Sequence, residues 1–486
     1  MKAQNQIPIL YRDLNYVSPY NWSSFRKQWI CWPGFIAACF ASYAAGSYSP
    51  GAGQMVDYWK ISRIAVLTGI TSFTCGFGLA PMILAPLSEL HGRKPVFIAT
   101  GILFVVCQVC SAVTRSFPGM IAARFFAGAG SSTYSTMVGG LIADLYRSED
   151  INTPMALFSG TALFGVGLGP LISGFIAEYS SWRWIFYSQA IANALLVTFF
   201  ILFVPETRES VLARQKVAVA NKLWEEKEQK GLFYEKPGAD GSTEKWRLRW
   251  KADGCEKPTS IRDMIVKSLF RPFRLLFTEP VVFFFSLWAA FAWAVLYIAL
   301  AAVPLIFQDV YGFSLSRANA VFASMSIGAV MGTVMSIVQD KIARRYKLLP
   351  DSPESRLYFT CFESLLLPAG LFMFGWASRV DVHWIVPAIA IGIATVGIFC
   401  VYLSVFNYLA DVYGTYASSA IAAQSFCRNV VGGIFPLVTT QLFTNLGYGP
   451  AGSLLGAIGL LLSVVPWVLV FYGKTIRSKS KFALDI

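Results

Sequence analysis

Apolar residues in this chain gather into runs of about twenty, the length a helix needs to cross the hydrocarbon core of a bilayer. Twelve such runs follow one another, at 29–50, 64–86, 96–114, 117–143, 155–177 and 184–204, then at 281–307, 318–338, 357–377, 384–410, 417–443 and 449–472. Between the two sets of six lies one long polar stretch, 205–280, which holds sixteen Lys/Arg and twelve Asp/Glu with Gly and Pro scattered among them. A segment of that composition forms no buried core by itself. The pattern therefore predicts an all-α integral membrane protein with twelve transmembrane helices in two six-helix bundles. Its parts are an N-terminal segment 1–28, an N-terminal bundle 29–204, a connector 205–280, a C-terminal bundle 281–472 and a tail 473–486. Inside the connector, 208–230 reads as a charged helix with Val211, Leu212, Val219, Leu223 and Trp224 as an apolar stripe. The stretch 261–277 mixes Leu and Phe with Arg and Lys, which suits a helix lying in the membrane interface.

Composition agrees with the pattern. Hydrophobic residues make up 55% and charged residues only 14%, with mean hydropathy +0.54, against roughly 25% charged in soluble domains. The polar start, followed by many apolar runs, reads as a retained first span rather than a cleaved leader. A net charge of +13 raises nucleic acid as a partner, but the basic residues sit in loops between spans rather than on one soluble face, so none is expected. Loops on the connector's side carry Arg26, Lys27, the His91-Gly-Arg-Lys94 turn, the stretch from Asp340 to Lys347, and Lys474, Arg477, Lys479 and Lys481. The positive-inside rule then places both termini and the connector in the cytoplasm. Eight of nine cysteines fall within apolar runs, Cys255 lies in the connector, and His91 and His383 stand in loops without metal-like spacing. Neither a metal nor a cofactor is expected.

The turn after the second run reads Ala85-Pro-Leu-Ser-Glu-Leu-His-Gly-Arg-Lys-Pro95. It resembles the loop between spans two and three of the major facilitator superfamily, Gly-x-Leu-Ala-Asp-Arg-x-Gly-Arg-Lys, in the form found in fungal drug:proton antiporters. Gly92 allows the tight turn, and Glu89 beside Arg93 and Lys94 offers a charge-paired latch that biases which side is open. Asp340 with Arg344 and Arg345 is a degenerate echo in the second half, as two pseudo-symmetric six-span repeats would give. In the fourth run, Arg124 followed by Ala-Gly-Ala-Gly-Ser131 and closed by Asp144 is similar to the superfamily motif whose Arg is linked to proton coupling; the plain alternative is an Arg that snorkels or pairs structurally. The fifth run, Gly165-Val-Gly-Leu-Gly169-Pro170-Leu-Ile-Ser-Gly174, resembles the antiporter motif of exporters, with Ser173 replacing one Gly. Gly165, Gly169, Pro170 and Gly174 are expected to act as hinge and seal, since small residues let helices approach and Pro frees a carbonyl. Pro205-Glu-Thr207, Ser352-Pro-Glu-Ser-Arg356, Asn407-Tyr-Leu-Ala-Asp411 and the close of the last span extend the likeness over nearly the whole chain.

Three ionisable residues fall deep in the runs: Arg124, Glu363 and Arg428. They are the candidates for proton coupling, because a buried carboxylate has its pKa raised and a buried Arg demands a partner; a packing or snorkelling Glu363 is the alternative. The resemblance implies a cavity lined by spans one, four, seven and ten. There Tyr43, Ser131, Tyr134, Trp288, Trp293, Tyr297, Tyr402 and Asn407 offer amphipathic walls for flat apolar or cationic compounds, unless they serve packing alone. The expected activity is export of an amphipathic small molecule in exchange for protons, by a monomer in the plasma membrane or, alternatively, the vacuolar membrane. Rival readings are an importer of a vitamin, sugar or polyamine, a transporter-like sensor and a membrane-embedded enzyme. The last lacks an intramembrane His, and no P-loop is present.

Overall fold

Helices with lipid around them must satisfy every backbone group within themselves, and each apolar run does so, punctuated by side-chain caps and breakers. The computed structural model describes residues 18–147, 150–231, 233–237, 243–246, 249–250, 261–346, 352–478, 480 and 482. The first seventeen residues, Cys255 with the middle of the connector, and the basic Lys347, Lys479 and Lys481 lie outside the described residues.

The first span, Ser24–Gly46, starts where the Ser23 hydroxyl accepts from the Arg26 N–H. A turn and the short helix Ala52–Trp59 follow, closed by Lys60 in the left-handed region at φ +56°. The second span, Arg63–His91, is capped by Ser62 and meets the third, Arg93–Val113, at Gly92, where φ is +105°. Next come the fourth, Phe117–Leu145, the fifth, Asn152–Tyr179, and the sixth, Arg183–Phe203. The second half contains the seventh, Pro280–Asp309, the tenth, Ile385–Tyr413, and the eleventh, Ala417–Leu446, as unbroken helices. Three spans are interrupted. The eighth runs as Leu315–Ala320 and Ala323–Tyr346, the ninth as Pro353–Leu357, Tyr358–Glu363 and Leu366–Ala377, and the twelfth as Tyr448–Leu462 and Val464–Arg477.

The breaks in the ninth and twelfth spans face each other. Pro368 has no N–H to give the Ser364 carbonyl four residues earlier. The Ser463 hydroxyl, at the break of the twelfth span, donates to that carbonyl at 3.2 Å.

Among the described residues, eleven helical segments are long and apolar enough to cross a membrane, and the fourth span is not one of them. It carries Arg124, Asp144 and many Gly, Ser and Thr, and it packs against the first, second and third spans. Neighbouring helices, rather than lipid, form most of its surroundings. The seventh span is the most enclosed, with 89% of its apolar window buried, whereas the sixth and twelfth reach 39% and stand outermost. Leu195, Leu202, Leu461 and Phe471 project from this outer belt, as a lipid-facing surface requires. The two halves meet along two seams, the fifth span against the eighth and the second against the eleventh.

The connector adds the helix Glu209–Gln229, a hairpin pairing Tyr234–Pro237 with Thr243–Trp246, and the helix Ile261–Thr278. The hairpin departs from the all-helical expectation. The first connector helix buries Val211, Ala213 and Ala220, whereas Val219 and Leu223 of the expected stripe are exposed. Its docking partner is the end of the second span, where Arg214 donates to the Leu90 carbonyl. The second connector helix seats Leu275 in the core and Phe273 against Phe426 of the eleventh span, leaving Phe270 and Phe277 outward.

Candidate functional site at the seam between the bundles

Two buried arginines, Arg124 and Arg428, stand within reach of one tyrosine, Tyr297. Arg124, with no exposed surface, donates from Nε to the Gly69 carbonyl at 3.3 Å and from both terminal nitrogens to the Ala44 carbonyl at 3.3 and 3.4 Å. Its guanidinium lies 4.3 Å from the Phe73 ring centroid and 4.8 Å from that of Tyr48. Carbonyl dipoles and ring faces thus take over the role of water for this cation and tie the first, second and fourth spans together.

Arg428 of the eleventh span is 3% exposed and lies 4.2 Å from the centroid of Trp293 and 4.8 Å from that of Tyr402. Those two rings, from the seventh and tenth spans, stand 5.0 Å apart. Its hydrogen bonding is much poorer: one long contact to the Ser425 hydroxyl at 3.5 Å, and a buried Nε without a partner. Gly432, one turn on, permits the crowding, since a Cβ there would come within 3.1 Å of Tyr297. Tyr297 is buried within electrostatic reach of both guanidinium groups. Among the described residues, no carboxylate oxygen lies within 4.0 Å of either arginine.

Arg124, Arg428, Trp293, Tyr297 and Tyr402 therefore come together, and the other expected site residues go elsewhere. Tyr134 is stacked on Phe97 and Phe200 and meets Phe104 edge-on, inside the N-terminal bundle. Ser131 bonds back to the Gly128 carbonyl. Trp288 is buried against Phe285 with its indole N–H unpartnered. Tyr43 packs on Phe40. Glu363 accepts from the Gln339 amide and shares with Asn407 a polar crevice on the connector's face, beside Asn152 and Asp340. It does not meet either arginine.

The turn at Gly92 builds a charge network. Arg93 Nε meets Asp144 Oδ2 at 3.1 Å, and Arg208 of the connector meets Asp144 Oδ1 at 2.8 Å. Arg93 also donates to the Ser88 hydroxyl. Burial opposes the Arg208 charge, yet the charge of Asp144 and its hydrogen bond, with Glu89 beyond, hold the guanidinium above its ordinary pKa. The Glu89–Arg93 pairing expected from the sequence is not formed: Glu89 is exposed, and Asp144, at the end of the fourth span, is the nearer carboxylate. Glu206 caps the third span, accepting the backbone N–H groups of Arg93 at 2.9 Å and Lys94 at 3.1 Å. Gly92 makes room for it, as a Cβ there would lie 2.3 Å from Glu206 Oε2. The Lys94 ammonium bonds the Ile201 carbonyl. In the second half, Asp340 pairs with Arg344 and Asp411, near the end of the tenth span, pairs with Arg356, each at 3.0 Å.

The glycines of the fifth span face two ways. At Gly165 and Gly169 an added Cβ would strike the Cys39 and Tyr43 carbonyls of the first span, at 2.3 and 2.6 Å. At Gly174 it would strike Asn319 of the eighth span, at 2.5 Å. The Val166 carbonyl, deprived of its helical donor by Pro170, looks onto Gly46. Asn152 donates to Asp340 at 2.9 Å at the connector's end of this seam, and Glu178 accepts from the Ser316 N–H at the far end. Also on the far face, the Ser49 hydroxyl donates to the Leu300 carbonyl at 2.9 Å. Sequence reasoning missed Tyr48, Phe73, Glu178 and the capping role of Glu206. Only Glu206 left a trace, in the Pro205-Glu-Thr207 likeness.

Comparison with known proteins accords with this architecture. The family model for the Major Facilitator Superfamily matches residues 34–436. The chain is 33% identical to the MFS-type transporter paaT of Penicillium rubens, over 96% of this chain and 82% of that one. It is 35% identical to the efflux pump atB of Aspergillus terreus, over 87% of this chain and 86% of that one. The fold is similar to that of the xylose transporter XylE from E. coli in a partially occluded, inward-open conformation, with TM-score 0.62, 16% identity, and coverage of 91% of this chain and 98% of that one. Twelve spans in two halves, a glycine-lined seam and a family match over most of its length lead to one conclusion: the chain belongs to the Major Facilitator Superfamily.

Proposed function

We propose that this protein is a secondary active transporter that exports an amphipathic organic compound in exchange for protons by alternating access. The observation that carries the reading is the seam constellation: Arg428, Trp293, Tyr297 and Tyr402, contributed by three spans of one bundle, stand opposite Arg124 of the other. A compound held there touches both halves, so rocking them about the seam moves it from one side to the other. A relative named as an efflux pump supports the outward direction. The basic loops on the connector's face support cytoplasmic termini, and we assign the chain to the plasma membrane as a monomer. The Asp144 network is the connector-side latch, and Glu363, beside Asp340 in the crevice, is the carboxylate we assign to proton exchange.

Flux in reconstituted vesicles carrying a pH gradient tests this, with fluorescent drugs and fungal metabolites as candidate cargo. Movement against the proton gradient is expected, and Arg124→Ala should reduce it by about tenfold or more while the protein stays folded in the membrane. Movement indifferent to pH, or proton-driven uptake, would overturn the antiport reading.

A further inference from the structure

The charge balance at the seam points to the chemical class of the cargo. Arg124 has each guanidinium nitrogen engaged by a carbonyl. Arg428 does not: its buried Nε has no partner, and its one hydrogen bond is a 3.5 Å contact to Ser425. Trp293 and Tyr402 stabilise the face of its charge, but ring faces leave the N–H edge of the fork unsatisfied. Two positive charges thus share one buried region without a carboxylate from any described residue within ion-pair distance. A natural partner for an unfilled guanidinium fork is a planar two-oxygen anion, which it binds bidentately. In a region of low dielectric the same field repels an organic cation strongly.

We infer that the cargo is an organic anion, a carboxylate joined to a flat apolar body, with the carboxylate on the free edge of Arg428 and the body against Trp293, Tyr402 and Tyr297. This deepens the export reading and rests on it for the word cargo. It also reverses one expectation from the aromatic walls, which by themselves suit cations. With Arg428 already on the Trp293 and Tyr402 faces, those faces are occupied by a cation that belongs to the protein.

The test is equilibrium binding to the purified full-length protein in detergent, using three probes with one ring system: 2-naphthoate, neutral 2-naphthamide and cationic 2-naphthylmethylammonium. Naphthoate is expected to bind at least about tenfold more tightly than either of the others. Arg428→Gln should remove that margin, so that naphthoate and the amide bind the variant within about twofold of each other. Arg428→Lys, which keeps the charge and loses the fork, should retain part of the margin. The ranking of the three probes on the unaltered protein decides the matter even where a variant fails to fold. Equal or better binding of the cation or the amide overturns the inference, as does failure of all three to bind or an unchanged margin in Arg428→Gln. Binding needs neither a gradient nor net flux, so anion preference without pH-driven movement overturns only the antiport reading. Proton-driven export of a neutral compound with no anion preference overturns only this one.

Discussion

Asp144 is held between two guanidinium groups, and its side chain, like that of Arg93, is under 10% exposed. Removing its charge leaves a buried cation with a serine hydroxyl as its remaining side-chain partner. Asp144→Asn should therefore destabilise the protein by about 3 kcal/mol, the order found when one member of a buried pair is lost. Thermal denaturation in detergent checks this. Arg93→Gln combined with Asp144→Asn should cost clearly less than the two singles added, because the partners share one interaction. Strict additivity would show that they are uncoupled. Arg428 shows what could be read at this scale beforehand. An arginine amid an apolar run announces that it needs a partner, but the rings that meet it lie 135 and 26 residues away in the chain, at Trp293 and Tyr402.

At the scale of elements, the paired breaks of the ninth and twelfth spans are a packing decision. Pro368 and Pro466 are visible in the sequence, yet a proline inside a span does not say which neighbour supplies the missing donor. Here Ser463 gives its hydroxyl to Ser364 and to its own Gly459. Ser463→Ala should leave the Ser364 carbonyl with only the 3.4 Å contact from the Leu367 N–H and cost about 1 kcal/mol, the order of one lost hydrogen bond. An unchanged denaturation temperature would mean that the ninth span heals its own break. The fifth span teaches a related lesson. Its glycines signalled close approach, but only the assembled bundles show that Gly165 and Gly169 admit the first span while Gly174 admits the eighth from the opposite bundle. The hairpin in the connector had no such signal, since Tyr234–Pro237 and Thr243–Trp246 are short and charged.

For the whole molecule, a multi-pass membrane protein of a transporter family, the fifth–eighth seam is tied at both ends, by Asn152 to Asp340 and by Glu178 to Ser316. Alternating access requires those ties to open in turn. Cysteines at 152 and 340, in a background with the nine native cysteines replaced by serine, should be cross-linked by a short thiol reagent, and the cross-link should abolish flux until it is reversed. Undiminished flux in the cross-linked protein would mean that this end of the seam does not move. Much of the plan was present in the chain itself. The number and length of the spans, the division into halves and the side on which positive loops gather follow from the apolarity and charge of each segment, and a bilayer reads those segment by segment. The tertiary structure alone decided that Asp144, not Glu89, holds Arg93, that Tyr134 turns into its own bundle, and that Arg428 meets two rings and no acid among the described residues. Each successive residue rotates about 100° around a helix. Which side chains meet therefore depends on how every helix is turned and which helices are its neighbours, and no single segment carries that information.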